Sequence, residues 1–328
     1  MKVIIVLHHR FELWNAPSWF AERLRSDFPE LNIVHLPTYE GVENELPDAE
    51  VAISWSIRPE QLRFAPKLRW IHSPAAAVHQ LMFPELVNSD IVITNAREVH
   101  GPVVAEHVIA QIFALAKKLP DAMRLQKQHI WGKELLWIEK PSPREVSGAT
   151  LGLVGLGSIG RAVARKASAL GMQVIAVRRN PENAIPEGVQ TVFGPDQLNA
   201  LLSQSDYVVL AAPLTPQTTA LINADRLAQM KREACLINVS RGPLVDEAAL
   251  ANALRANKIA AAALDVFPKE PLPTESPLWD LENLLITPHT AAVTAKLWDR
   301  HYVLISENLR RYLARQPLLC VVNKHLGY

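Results

Sequence analysis

Short apolar runs alternate with longer amphipathic stretches along nearly the whole chain. Parallel sheets covered by helices produce that alternation. In the first hundred residues it predicts strands near 2–7, 32–36, 51–55, 69–73 and 90–94, with helices near 18–28 and 59–64. A long amphipathic helix is expected from about Pro102 to Lys118, because Val104, Val108, Ile112 and Leu115 recur at helical spacing. Further strands are expected at 150–154, 173–177, 190–193, 207–211, 235–239, 260–264 and 284–287. Several are apolar throughout, as strands buried on both faces are.

The strand at 150–154 runs into Gly155-Leu156-Gly157-Ser158-Ile159-Gly160, followed by a helix-like stretch to Leu170 and a second strand ending at Arg178 and Arg179. In such a βαβ unit the first glycine permits a tight turn. The second lets backbone approach a pyrophosphate, and the third allows close packing of helix on strand. Free amides at the helix start, here from Ser158 and Ile159, then face the phosphates. The end of the second strand usually carries an acid that accepts bonds from the ribose hydroxyls of NAD. Arginine stands there instead, 18 residues beyond Gly160. A guanidinium cannot accept those bonds but pairs bidentately with a 2′-phosphate. NADP is therefore the expected cofactor, with NAD still possible; the plainer reading is two solvated arginines on a loop.

With 328 residues the chain is long enough for two domains. The alternation from 101 to 289 describes one doubly wound dinucleotide-binding domain. The segment 290–328 is too short to stand alone and is expected to return to residues 1–100, forming a substrate-binding domain. The expected fold is thus α/β, with two Rossmann-like domains built on doubly wound parallel sheets and chain crossings near 100 and 289 acting as a hinge. The 34 basic and 33 acidic residues are interspersed, for a net charge of +1, which predicts no nucleic-acid partner. Cys235 and Cys320 lie far apart and read as reduced thiols, not a disulfide framework. The apolar run at 3–7 is too short for a signal-peptide core, and no apolar stretch is read as long enough to cross a membrane. A cytoplasmic location follows.

Three loops after predicted strands carry polar residues that packing does not explain: Asn238-Val239-Ser240-Arg241-Gly242, Asp265-Val266-Phe267-Pro268-Lys269-Glu270-Pro271, and Thr287-Pro288-His289-Thr290. Ligands bind at the carboxyl ends of strands in such sheets. Taken singly, Arg241, Glu270 and His289 read equally well as surface charges or a loop histidine. In this order behind a glycine-rich turn, they resemble the D-2-hydroxyacid dehydrogenase family, which includes phosphoglycerate dehydrogenase and the glyoxylate and hydroxypyruvate reductases. The likeness runs from about Leu68 to Arg300.

The resemblance implies a set of roles. Arg241 is similar in position to the family's substrate arginine, and its planar cation suits a carboxylate. His289 corresponds to the general acid and base, imidazole having an ordinary pKa of about 6.5. Glu270 would orient the ring and favour its charged form; formate dehydrogenase carries glutamine there, so glutamate favours a proton-transferring reductase. Asp265 matches an aspartate near the nicotinamide end of the cofactor, and Val239, Pro213 and Thr218 lie in loops that approach it. Val104-Ala105-Glu106-His107 is similar to the helix that packs beside the nicotinamide. No metal is required, because histidine and arginine cover the developing charge.

One departure lies in the substrate loop, which reads Ala75-Ala76-Ala77-Val78-His79 where the family has a glycine-rich sequence ending in aspartate. Ala76 and Ala77 still offer amides to a substrate carboxylate, with less room. No role is assigned to His79. Among the tryptophans at 55, 131, 137 and 298, Trp298 is chosen as a substrate residue. The segment from Asp121 to Ser147 resembles the family's arm around a second subunit, so a homodimer is expected. These readings converge on NADPH-dependent reduction of small 2-keto acids to D-2-hydroxy acids. The rivals are an NAD-linked dehydrogenase working oxidatively and a nucleotide-sensing corepressor.

Overall fold

The computed structural model describes residues 1–139 and 141–327. Lys140, inside the expected arm, and Tyr328 lie outside the described residues. Two compact units divide the chain: Met1–His100 with Val293–Tyr328, and Gly101–Ala292.

The first unit holds strands β1 (Lys2–Val6), β2 (Asn32–Leu36), β3 (Ala49–Ser54), β4 (Trp70–Ser73) and β5 (Val92–Asn95). They form one parallel sheet in the order β2-β1-β3-β4-β5. Successive side chains of β1 go to opposite faces, and both faces are covered. Val3 and Ile5 pack with Phe20, Leu24, Trp298, Tyr302 and Ile305, from helices Ser18–Asp27 and Leu297–Leu313. Ile4 and Val6 pack with Leu46, Ile71, Leu81 and Leu86 on the other side.

The second unit continues with β6 (Thr150–Val154), β7 (Gln173–Val177), β8 (Thr191–Phe193), β9 (Tyr207–Leu210), β10 (Cys235–Asn238), β11 (Ala261–Leu264) and β12 (Leu284–Ile286). The order is β12-β11-β10-β9-β6-β7-β8, and every pair is parallel. Both sheets are doubly wound α/β sheets of the Rossmann type, as the hydropathy pattern predicts. Strand order reverses between β6 and β9, and the crevice outside the carboxyl ends of such a pair is where a dinucleotide binds.

The long helix is Arg97–Ala116, starting five residues before the expected Pro102. A proline in the first turn of a helix costs nothing, because its missing N–H would have no partner there. Here it lies inside the helix, at the cost of one backbone bond. This helix also corrects the expectation about membrane-spanning stretches, since its 20 residues are long and apolar enough by length and composition. Val104, Ala105, Val108 and Ile112 are instead buried against Leu151, Leu153 and Val163 in the core of the second unit. It has the character of a core helix.

The first unit also buries polar groups. Thr94 Oγ1 accepts from the Trp70 indole at 2.8 Å and lies 2.8 Å from His72 Nδ1. His301 packs on the Trp298 ring at 5.0 Å, and neither of its nitrogens has a partner among the described residues. Burial pushes His72 down to about 3. Burial, reinforced by His100 and His72, holds His301 well below the ordinary histidine range. Both rings thus stay neutral in the folded chain while the unfolded chain takes up protons below about pH 6.5. Stability is full above that pH and declines as the pH falls toward 3, His72 alone accounting for about 2 kcal/mol lost by pH 5. Thermal unfolding at pH 7 and pH 5 should reveal the loss, and His72→Phe should narrow the gap. An equal gap in both proteins would remove His72 as its source.

Candidate active site

The glycine-rich turn leaves β6 with each glycine in a different situation. Gly155 has φ +101°, and a Cβ there would come within 2.6 Å of the Ala212 backbone nitrogen. Left-handed geometry and close approach both demand glycine at that point. A Cβ on Gly160 would meet the Gly155 carbonyl oxygen at 2.2 Å, so the helix can approach the turn only with glycine there. At Gly157, which is exposed, an added Cβ would have nothing within 4 Å. Packing does not require glycine at 157, and its open side is the room a pyrophosphate would take. Ser158 and Ile159 open helix Ser158–Ala169 directly behind it, which supplies anion-binding amides. These residues fit a dinucleotide.

At the end of β7 the two arginines diverge. Arg178 donates from Nη2 to the carbonyls of Pro181 at 3.4 Å, Ala184 at 3.2 Å, and Asn183. It therefore clasps the loop that follows it. Arg179 is exposed. In the neighbouring loop after β9, Pro213 is exposed and Thr218 Oγ1 donates to the Pro213 carbonyl at 2.7 Å. The Thr218 hydroxyl is thus used to close its own loop.

Arg241 follows β10, whose last residue, Asn238, is fully buried. Asn238 donates to the Arg241 carbonyl at 2.9 Å and accepts from the Ser240 amide at 3.1 Å. Ser240 Oγ in turn donates to the Ala212 carbonyl. Gly242 presses on the next loop, since a Cβ there would lie 2.0 Å from the Phe267 carbonyl carbon. Burial lowers the Arg241 pKa and the charge of Glu270 raises it; arginine remains charged.

Glu270 is held at one oxygen by the Phe267 amide at 2.9 Å. Its other oxygen lies 2.6 Å from His289 Nδ1. With Nδ1 donating to the carboxylate, Nε2 is the nitrogen left for proton exchange, and 41% of the His289 side chain is exposed. His289 itself has φ +53°, a conformation costly for any residue but glycine. Its backbone N–H is held by the carbonyl of Asp265 at 2.9 Å. The structure thus brings Glu270 and His289 into direct contact and places Arg241 within reach of the Glu270 charge.

Asp265, read as a cofactor residue, is 1% exposed. Oδ1 accepts from Thr287 Oγ1 at 2.6 Å and the Thr290 amide at 2.9 Å, and Oδ2 accepts from the Ala291 amide at 3.0 Å. Its carboxylate anchors the His289 loop. Val239 is 6% exposed and belongs to the hydrophobic core. In the first unit, Trp298 is likewise 6% exposed, with its indole N–H on the Leu13 carbonyl at 2.8 Å. It packs in the core of that unit. Ala76 and Ala77 are half-buried, and the Ala76 carbonyl accepts from Asn95 at 2.7 Å. His79 is exposed. Among the described residues no group of His, Cys, Asp or Glu is arranged to hold a metal ion.

Sequence reasoning gave no role to Asn238, Thr287, His107 or Gln111, although three of the four lie inside quoted motifs. The available signal was a polar pair four residues apart, His107 and Gln111, within a largely apolar stretch of helix.

The family model for the NAD-binding domain of D-isomer specific 2-hydroxyacid dehydrogenases matches residues 109–291. The chain belongs to that family. The chain is similar to a glyoxylate reductase of Korarchaeum cryptofilum, 34% identical over 83% of this chain and 82% of that protein's length. A D-3-phosphoglycerate dehydrogenase of Mycobacterium bovis is 32% identical over 94% of this chain. The chain spans 57% of that relative's length. Among solved structures, an NADPH-dependent glyoxylate/hydroxypyruvate reductase of Sinorhizobium meliloti, in complex with NADP and sulfate, is similar with a TM-score of 0.82 and 29% identity. The match covers 100% of this chain and 99% of that one.

The glycines make a paired expectation for this family member. Gly157→Ala should change stability by no more than about 0.5 kcal/mol while weakening binding of a reduced nicotinamide dinucleotide about tenfold or more, read by fluorescence titration. Gly160→Ala should instead lower the unfolding temperature sharply. Unimpaired cofactor binding by Gly157→Ala would defeat the assignment of that open side to the pyrophosphate.

Proposed function

We propose that this chain reduces small 2-keto acids to D-2-hydroxy acids with NADPH, glyoxylate and hydroxypyruvate being the first to test. The observation that carries this reading is the 2.6 Å contact of Glu270 with His289, beside an arginine under the influence of the same carboxylate. A bound reduced nicotinamide supplies the hydride. Arg241 holds the substrate carboxylate with a permanent charge. His289 gives the Nε2 proton to the carbonyl oxygen, and the Glu270 charge stabilises the imidazolium from which that proton leaves. Afterwards the partly exposed ring regains a proton from solvent.

Cofactor choice is supported by the arginines after β7 and by the NADP held by the Sinorhizobium meliloti neighbour. Use of NADH has one observation in its favour: Arg178 Nη2 is already engaged by the carbonyls of residues 181, 183 and 184. A homodimer is supported by the exposed apolar side chains of Trp131, Trp137 and Ile138, within the segment that resembles the family's arm. Two free cysteines suit a cytoplasmic setting.

Loss of NADPH absorbance on adding a panel of 2-keto acids tests the reaction. His289→Asn should lower kcat about 100- to 10,000-fold, and an undiminished rate would overturn the proton-transfer role. For the cofactor, Arg178→Asp should reduce the NADPH-over-NADH ratio of kcat/KM about tenfold or more. An unaltered ratio would leave Arg178 as a loop clasp alone.

A further inference from the structure

Behind the His289 loop lies a partly buried polar chain that the reaction above does not use. His107 and Gln111 stand one turn apart on helix Arg97–Ala116. His107 Nε2 lies 3.1 Å from Thr287 Oγ1, 3.0 Å from Gln111 Nε2 and 3.6 Å from Asp265 Oδ1. Thr287 Oγ1 lies 2.6 Å from Asp265 Oδ1.

The protons in this chain can be assigned. A carboxylate only accepts, so Thr287 spends its one hydroxyl proton on Asp265. Its oxygen is left to accept, and the 3.1 Å contact from His107, shorter than the 3.4 Å one from Gln111 Nε2, assigns that bond to His107 with its proton on Nε2. With the His107 proton on Nε2, the Gln111 amide is turned so that its oxygen faces that N–H at 3.0 Å. Burial lowers the His107 pKa against the opposing pull of Asp265, which keeps this ring neutral with a single N–H to place.

We infer that His107 is a positioning residue: by donating Nε2–H to Thr287 it directs the Thr287 hydroxyl onto Asp265, which fixes the loop that presents His289. The consequence for His289 follows from three bonds. Asp265 holds Thr290 and Ala291 through its carboxylate and the His289 amide through its backbone carbonyl. Together they stabilise a left-handed backbone at His289 that would otherwise relax. Without the His107 proton, the Thr287 hydroxyl is free to turn away and Asp265 loses one of its three donors. His107 touches no reacting atom; it acts through Thr287 and Asp265.

The effect on turnover rests on the proposed reaction, whereas the effect on the loop does not, and the experiment separates them. His107→Phe removes the donor, and His107→Gln returns an N–H at nearly the same reach. Hydrogen exchange at the Thr290 and Ala291 amides should speed up about tenfold or more in His107→Phe and recover in His107→Gln. In the keto-acid assay, kcat should fall about ten- to a hundredfold in His107→Phe, with the Kd for NADPH within about twofold of the parent and recovery in His107→Gln. If His107→Phe does not fold, Thr287→Val breaks the same link and should give the same pair of changes. Unchanged amide exchange would overturn the inference whatever the activity. Changed exchange in a parent chain that reduces no keto acid would uphold the positioning role and reject the reaction.

Discussion

The buried carboxylate of Asp265 is the constraint on which the rest of this site depends. A charge so far from water is tolerated only when hydrogen bonds replace its hydration. Those bonds come from Thr287, Thr290 and Ala291, on either side of His289. Satisfying the charge therefore shapes the loop. The left-handed backbone at His289 costs on the order of 1–3 kcal/mol for a residue with a side chain, and the bonds to Asp265 hold it in place.

A second carboxylate works in the opposite way. Glu270 is partly exposed and shared: the Phe267 amide fixes one oxygen and His289 takes the other. Because the first oxygen is tied to its own loop, the second has a defined position, and the ring it holds has a defined tautomer. The same charge raises the pKa of Arg241 against the lowering effect of burial. One carboxylate builds the loop and the other sets the electrostatics of what the loop presents.

Across the second unit the carboxyl edge of the sheet is stitched by short polar links. Ser240 reaches Ala212, Asn238 holds the Arg241 turn, and Gly155 packs on the same Ala211–Ala212 corner. Each link joins loops from neighbouring strands, so the dinucleotide cradle and the Arg241 loop share one framework.

Most strands were legible because their signal is local. An apolar run bounded by turn residues specifies a buried strand wherever it lies, and β2, β6 and β7 match the pattern residue for residue. The glycine turn was legible for a similar reason: its demands on backbone conformation and approach fall within six residues. Hydrogen-bond partners were not. Whether Asp265 faces a ligand or a loop depends on Thr290 and Ala291, and whether Arg178 meets a phosphate or its own loop depends on how residues 181–184 fold back. His107 and Thr287 are 180 residues apart. The sequence by itself determined the parallel α/β sheets and the residue types available for chemistry. Only the tertiary structure decided which donor meets which acceptor, because that pairing is settled by chain segments that local pattern cannot relate.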